Sequence, residues 1–464
     1  MTSQTTVEAH CPSVSARDDV RPSAGVSCTS QRLSLRRNFG WTLAGNLIYS
    51  GCQWVSLIVI AKVMNAVAVG QFALALAITA PIMIFANQGL TSLQATDAKG
   101  EFTFSQYFRY RFFTTTLALV VIYVTMRVLA YDMIVIVVGI AKALESFCDV
   151  RYGENQKLDR MDRTARSMAY RGVLSVGTVG CLLLLTRSIA WGAAGLALSN
   201  LIVLVVYDYR PRLFASGSLT IRLRRPRFSD LLLSHSFRRA SLRSSPQVIL
   251  LFQVFPLGVA AMLGSVTSNI PRYFVEHYCG SARLGIFAAI MYLLVVGRTV
   301  VAALAQSCIA RLARLHAHGE RSSFSSLFGK QMLFGVIMGA AGILVGEFWG
   351  APLLRLIYRP EYGRYANVLV FVMIAAAVNY LVEFSNAGLL AVRSIRVQPF
   401  ILFSCVVIAT LCCVLFVPRF GISGAAWAVI AAGVFQLTAN MYFIERARLM
   451  AVRNIDQDAR LESN

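Results

Sequence analysis

The stretch VGQFALALAITAPIMIF, residues 69–85, contains no charged side chain. A helix rises 1.5 Å per residue, so about 20 apolar residues cross the hydrocarbon of a bilayer. The apolar character carries on to residue 95, and the segment reads as one membrane span over 69–95. Its opening returns later in the chain as LGIFAAIMY, residues 284–292, where Gly285, Phe287 and Ala288 repeat Gly70, Phe72 and Ala73. A repeated membrane helix at about half the chain length sets the question of the fold.

The whole chain answers in the same terms. Of its 464 residues 57% are hydrophobic and 14% charged, and the mean hydropathy is +0.62, too apolar for a soluble fold of this length. Twelve spans follow, at approximately 39–61, 69–95, 108–130, 132–150, 168–187, 189–207, 247–271, 284–308, 327–348, 366–391, 398–418 and 422–444. No strand-like alternation of a membrane barrel is present, and backbone groups in lipid must be satisfied within the segment, so the fold is expected to be all-α.

Further echoes support a two-part chain. WGAAGLALSN carries Gly192 and Gly195 in the sixth span, and FGISGAAWAV carries Gly421 and Gly424 in the twelfth. ALESF in the fourth span is answered by LVEFS in the tenth, which places Glu145 and Glu383 in corresponding helices. The constant offset of six spans predicts two six-helix bundles around a central cavity, related by an axis along the membrane normal. The expected divisions are a disordered tail over 1–34, a first bundle over 35–207, a basic linker with an amphipathic helix over 208–246, a second bundle over 247–446, and a tail over 447–464.

The net charge of +22 is distributed by loop, which argues against nucleic acid as its partner. Alternate connections and both flanks carry Arg32, Arg36, Arg37, Lys99, Arg109, Arg111, Arg151, Lys157, Arg160, Arg163, Arg166, Arg171, the set from Arg210 to Arg243, Arg311, Arg314, Arg393, Arg396 and Arg446. The intervening connections hold few. The positive-inside rule then places both termini in the cytoplasm, with the basic loops against anionic membrane lipid. The first thirty residues lack the apolar core of a signal peptide. Ten cysteines show no Cys-x-x-Cys spacing and the five histidines no ligand spacing, so neither a metal site nor a cofactor is expected. No nucleophile motif or phosphate-binding loop stands out.

The runs NIPRYFVEHYCGSARLGIFAAIMYLLVVGRTVVAALAQSCIARLARLHAHGE, PLLRLIYRPEYGRYANVLVFVMIAAAVNYL and VPRFGISGAAWAV resemble the second half of bacterial polysaccharide flippases. GQFALALAITAPIMIF and KALESFCDVRYGENQKLDRMDRTARSMAYRG resemble the first half of the same proteins. These are the O-antigen and exopolysaccharide translocases of the multidrug, oligosaccharidyl-lipid and polysaccharide exporter superfamily, and the resemblance covers about residues 35–446. It implies an inner-membrane transporter and not an enzyme. Its cargo would be polyprenyl-pyrophosphate-linked oligosaccharide, moved between leaflets by alternating access, with polysaccharide polymerase machinery as a partner.

Such a cargo demands cations for the diphosphate and hydrogen-bonding groups for the sugar. Arg298 lies mid-span in LLVVGRTVVAAL and is either a phosphate contact or the partner of Glu145 or Glu383. Lys142 sits three residues from Glu145, close enough to neutralise it. Arg272 either meets the headgroup late in transport or snorkels to the interface. Glu145 and Glu383 are candidates for a coupling proton or sodium ion, and Asp149 is expected to cap the helix at its exit to water. Asn46, Gln53, Asn269, Gln306, Asn379 and Asn386 are candidate sugar contacts or interhelical glue, and Pro81 and Pro256 candidate helix breaks. Two other functions compete: a cation-coupled drug exporter of the same fold, which needs a deep carboxylate but no deep cation, and a membrane enzyme acting on lipid-linked sugars.

Overall fold

The structure, a computed structural model, describes residues 35–97, 102–209 and 246–462. The expected tail over 1–34 and nearly all of the expected linker helix fall outside these residues. The described chain is helical: α1 (Leu35–Val63), α2 (Ala66–Asn87), α3 (Leu90–Thr96), α4 (Phe104–Val128), α5 (Ile134–Lys157), α6 (Met161–Thr186), α7 (Ile189–Val203), α8 (Pro246–Cys279), α9 (Ser281–Ala317), α10 (Arg321–Ile357), α11 (Ala366–Ala391), α12 (Gln398–Phe420) and α13 (Ile422–Glu462). All but the seven-residue α3 are rods of membrane-crossing scale. Among the described residues ten helical stretches are long and apolar enough to cross a membrane. The other two rods are α5, which carries Lys142, Glu145, Asp149 and Arg151, and α8, which carries Ser265, Thr267, Ser268, Asn269 and Arg272. The four charges of α5 need an interior position, because charged groups facing lipid are costly.

Several boundaries differ from the sequence expectation for local reasons. The span over 69–95 divides, because Gln88 and Gly89 take positive φ values of 47° and 67° and end α2 before the short α3. The Gln88 side chain is buried and accepts a hydrogen bond from the Tyr110 hydroxyl of α4, which holds that turn in place. Asp149 does not cap a helix: α5 continues to Lys157. The helices also run through Pro81 and Pro256 without a break. Asn65 caps α2 by accepting from the Ala68 amide at 2.9 Å, and Thr103 and Gln106 form a reciprocal capping box on α4. Between α8 and α9 the chain turns on Gly280 alone, and between α12 and α13 on Gly421 alone, at φ 82° and 57°. A side chain is strained at these angles.

Helix pairing repeats across the two halves. In the first, α1 packs on α6, α2 on α5, α4 on α5, α5 on α7 and α6 on α7; in the second, α8 packs on α12, α9 on α11, α10 on α11, α11 on α13 and α12 on α13. Each set is the other advanced by six membrane rods. The repeated glycines explain the close approaches. A β-carbon at Gly195 would meet the backbone of Thr178 and Val179, and one at Gly424 the backbone of Phe416 and Val417. Gly70 and Gly285 instead face one another, each approaching the backbone of the other's helix, so this repeated pair joins the halves where α2 meets α9. We expect Gly424→Val to destabilise the second bundle by about 1–3 kcal/mol, the range for overpacking a close contact. A shift in the thermal unfolding of detergent-solubilised protein measures it.

Apolar side chains mark the lipid face. Phe113, Leu117, Val120 and Val124 on α4, Leu333, Val336, Ile337 and Val345 on α10, and Phe400, Phe403, Leu411 and Leu415 on α12 are all exposed. Their helices lie outermost, leaving α2, α5, α9 and α11 to line the interior of the two bundles.

Candidate functional site

The interior of the first bundle is built around Glu145 of α5. Its carboxylate receives the Lys142 ammonium at 2.8 Å, one helical turn away, the Arg171 guanidinium of α6 at 3.2 Å, and the Tyr49 hydroxyl of α1 at 2.9 Å. Arg171 is 2% exposed and stacks with its guanidinium carbon 4.5 Å from the centre of the Tyr49 ring. Lys142 and Glu145 lie about 12 and 17 Å along α5 from its first residue, yet keep 29% and 19% of their side chains accessible. A charge that is deep and still reachable by solvent marks a cavity, since the same charge facing lipid is costly.

A second polar layer backs the first. Asp208, at the end of the π-helical turn Leu204–Asp208 that continues α7, accepts from Ser167 at 3.0 Å, and Ser167 meets the Tyr152 hydroxyl at 2.8 Å. On the other side of α5, buried Arg111 donates to Asn87, which also accepts from Ser146 at 2.6 Å. Asp149, half-buried, lies within electrostatic reach of Arg111 and Arg171.

In the second bundle Arg298 of α9 and Glu383 of α11 pair at 2.5 Å, with 51% and 19% of their side chains accessible. Both lie 17 residues past the first residue of their helices, about 26 Å along. Arg272 of α8 is placed differently. It donates to Asn269 at 2.7 Å, and no carboxylate among the described residues lies within 4.0 Å of it. Glu276, one turn further on, accepts from Ser281 instead at 2.7 Å. Tyr292 of α9 lies within electrostatic reach of Arg272, Lys142 and Glu145, which brings the polar clusters of the two halves together.

The remaining sequence candidates divide. The Asn46, Asn269 and Asn379 amides donate to carbonyls one turn back in their own helices, at 2.9, 2.8 and 2.8 Å. Asn386 accepts from Asn440 of α13 at 2.9 Å and so knits α11 to α13. Gln53 is half-buried and Gln306 exposed, both on helices that line the boundary between the halves. On the faces turned to each other, α1 and α9 are fastened near the ends remote from the chain termini. Trp54 donates to the Tyr358 hydroxyl at 2.9 Å, and Tyr358 donates to the Ala289 carbonyl at 2.8 Å. Arg359 donates to the Lys62 carbonyl at 2.9 Å.

Arg111 and Arg171 correct the sequence analysis, which counted both among the basic loop residues. They are 1% and 2% exposed, inside α4 and α6. The signal was present as a spacing of three or four: Ser167, Arg171, Ser175, Val179 and Leu183 form one buried stripe, and Tyr107, Arg111, Thr115, Ala118, Ile122 and Met126 another. A basic residue in register with a buried stripe belongs to the interior. Tyr49 and Asp208 carried no comparable signal.

No family model matches the chain. In sequence it is 23% identical over 417 residues to the capsular polysaccharide biosynthesis protein CapF of Staphylococcus aureus, covering 88% of this chain and 99% of that protein. In structure it is similar to an inward-facing multidrug resistance MATE family transporter of the MOP superfamily, with a TM-score of 0.60, 13% identity and coverage of 92% of this chain and 97% of that one. The lipid II flippase MurJ, in an inward closed conformation, gives a TM-score of 0.67 at 8% identity, covering 88% of this chain and 89% of that one. A MOP superfamily transporter from Pyrococcus furiosus, described as having reverse polarity of its binding pocket, gives 0.61 at 12% identity over 89% of this chain and 96% of that one. At these identities the likeness is one of fold: a multi-pass membrane protein of two six-helix bundles.

Proposed function

We propose that this chain, built on the fold of the MOP superfamily transporters, moves a polyprenyl-pyrophosphate-linked oligosaccharide across the bacterial inner membrane by alternating access. The observation that carries the reading is the sign of the interior. Arg111, Lys142, Arg171, Arg272 and Arg298 stand against Glu145, Asp149, Asp208 and Glu383, and two of the five cations, buried Arg111 and half-buried Arg272, are hydrogen-bonded to amides with no carboxylate within 4.0 Å among the described residues. An unmatched interior cation favours an anionic ligand and disfavours a cationic drug. The relation to CapF supports a saccharide as the rest of the cargo.

In this reading both termini are cytoplasmic, and the Trp54, Tyr358 and Arg359 contacts close the outer side. The cations form two levels. Arg298 lies about 26 Å from the outer end of its helix, and Arg272 about 10 Å from the outer end of its own, at a depth close to that of Lys142. A diphosphate drawn in from the cytoplasmic leaflet meets Arg298 first and the Arg272, Lys142 and Tyr292 cluster second. Breaking the outer contacts as the bundles rock then presents the headgroup to the other leaflet. Gln53 and Gln306 are the amides left to meet the sugar, while Asn46, Asn269, Asn379 and Asn386 hold the helices that frame it. Coupling to a proton or sodium ion falls to Glu145 and Glu383, as the carboxylates that adjoin the cargo's cations. The protein performs no bond chemistry on its cargo and is not an enzyme.

Depletion of the protein in its host is the test. Lipid-linked oligosaccharide is expected to accumulate on the cytoplasmic leaflet and to clear on re-expression of the wild-type chain. Increased sensitivity to cationic drugs without such accumulation would replace this reading by that of a drug exporter.

A further inference from the structure

Two of the accessible cations in the interior, Lys142 and Arg298, carry a carboxylate already in place. Lys142 is held by Glu145 at 2.8 Å and Arg298 by Glu383 at 2.5 Å, and all four side chains keep an accessible fraction. The two glutamates come from the corresponding helices α5 and α11, whereas their cations come from helices that do not correspond, α5 itself and α9. What the two halves share is therefore the acid and not the pair. A purely structural ion pair has no need of accessibility, and the fully buried Arg111 and Arg171 show how this protein builds its structural cations.

We propose that Glu145 and Glu383 are resident counter-ions that occupy the cations of the pathway in place of the cargo's diphosphate and are displaced when it arrives. The proposal rests on the reading of the cargo as an anionic lipid headgroup. Its physical basis is twofold. Cations left bare in the interior of an empty transporter are costly, and a carboxylate within reach removes that cost. A pathway must also bind weakly enough to release, and a competing carboxylate lowers the net gain from each phosphate contact. The surroundings of Glu145 suit displacement: when Lys142 turns to the cargo, Glu145 keeps Arg171 at 3.2 Å and the Tyr49 hydroxyl at 2.9 Å. Glu383 needs only that Arg298, half-exposed, swing from one oxygen anion to another. Arg272, half-buried and bonded to neutral Asn269 with no carboxylate within 4.0 Å among the described residues, is the available cation that starts the exchange.

The test measures binding of inorganic pyrophosphate to the purified full-length protein by calorimetry at constant ionic strength. Glu383→Gln is expected to bind about tenfold more tightly than the wild-type chain, a step that corresponds to about 1.4 kcal/mol, and to export less saccharide in cells because release is slowed. Glu383→Asp, which keeps the charge, is expected to return affinity towards the wild-type value, and Arg298→Gln added to Glu383→Gln to abolish the gain. Thermal unfolding of each variant separates lost binding from lost fold. If the wild-type chain binds pyrophosphate and Glu383→Gln binds no more tightly, the counter-ion role is wrong and the cargo reading stands. If neither binds, both fall together.

Discussion

Replacing Arg272 with Gln is expected to lower export of lipid-linked saccharide by about two orders of magnitude while the helical bundle stays folded. The side chain spends one donor on Asn269 at 2.7 Å and has no carboxylate within 4.0 Å among the described residues, so its removal strands no buried acid. On the proposed reading its loss therefore subtracts a cargo contact and little else. A buried charge that loses its charged partner costs about 2–5 kcal/mol, and about 3 kcal/mol is about a hundredfold in binding. Arg272→Lys is expected to retain most of the activity if the contact is a point charge on one phosphate oxygen and little of it if the contact is a bidentate one. Unaltered export in Arg272→Gln, with normal protein levels, would remove Arg272 from the mechanism.

Arg171→Ala is expected to have the opposite profile: a large loss of stability, with function lost as a consequence. Arg171 is 2% exposed, bonds Glu145 at 3.2 Å and covers the ring of Tyr49, and it ties α6 to α5 and α1 through these contacts. Removing one partner of a buried ion pair costs about 3–5 kcal/mol because the other charge remains. Lys142 stays with Glu145, which sets the expectation at the lower end of that range. The measurement is the midpoint of thermal unfolding in detergent, and Arg171→Lys should recover part of the loss. A variant that unfolds like the wild-type chain but no longer exports would instead place Arg171 in the cargo pathway.

The two cases show how much of the site could be read along the chain. Lys142 with Glu145 was legible, because residues three apart on a helix are neighbours whatever the rest of the fold does. Arg298 was legible as a deep charge, but its partner was not: Glu145 and Glu383 were equally available, and the packing of α9 on α11 chose Glu383. Arg171 was misplaced among the loop charges since a basic residue near a helix end satisfies the topology rule and the interior equally well. The amides Asn46, Asn269 and Asn379 bond within their own helices, which a list of polar residues in apolar spans does not reveal.

The sequence by itself determined the membrane, the helical class, the number of spans and the repeat, for each rests on local quantities: the length of an apolar run, the satisfaction of the backbone in lipid, and a recurring order of small and apolar residues. The tertiary structure alone decided which charges meet. That outcome depends on which helix faces lie opposite one another, and those faces are set by close approaches such as Gly70 against Gly285 and Gly424 against Phe416. The sum of those approaches leaves Arg272 with an amide where Lys142, Arg171 and Arg298 each have a carboxylate, and no property of the chain read residue by residue contains that difference.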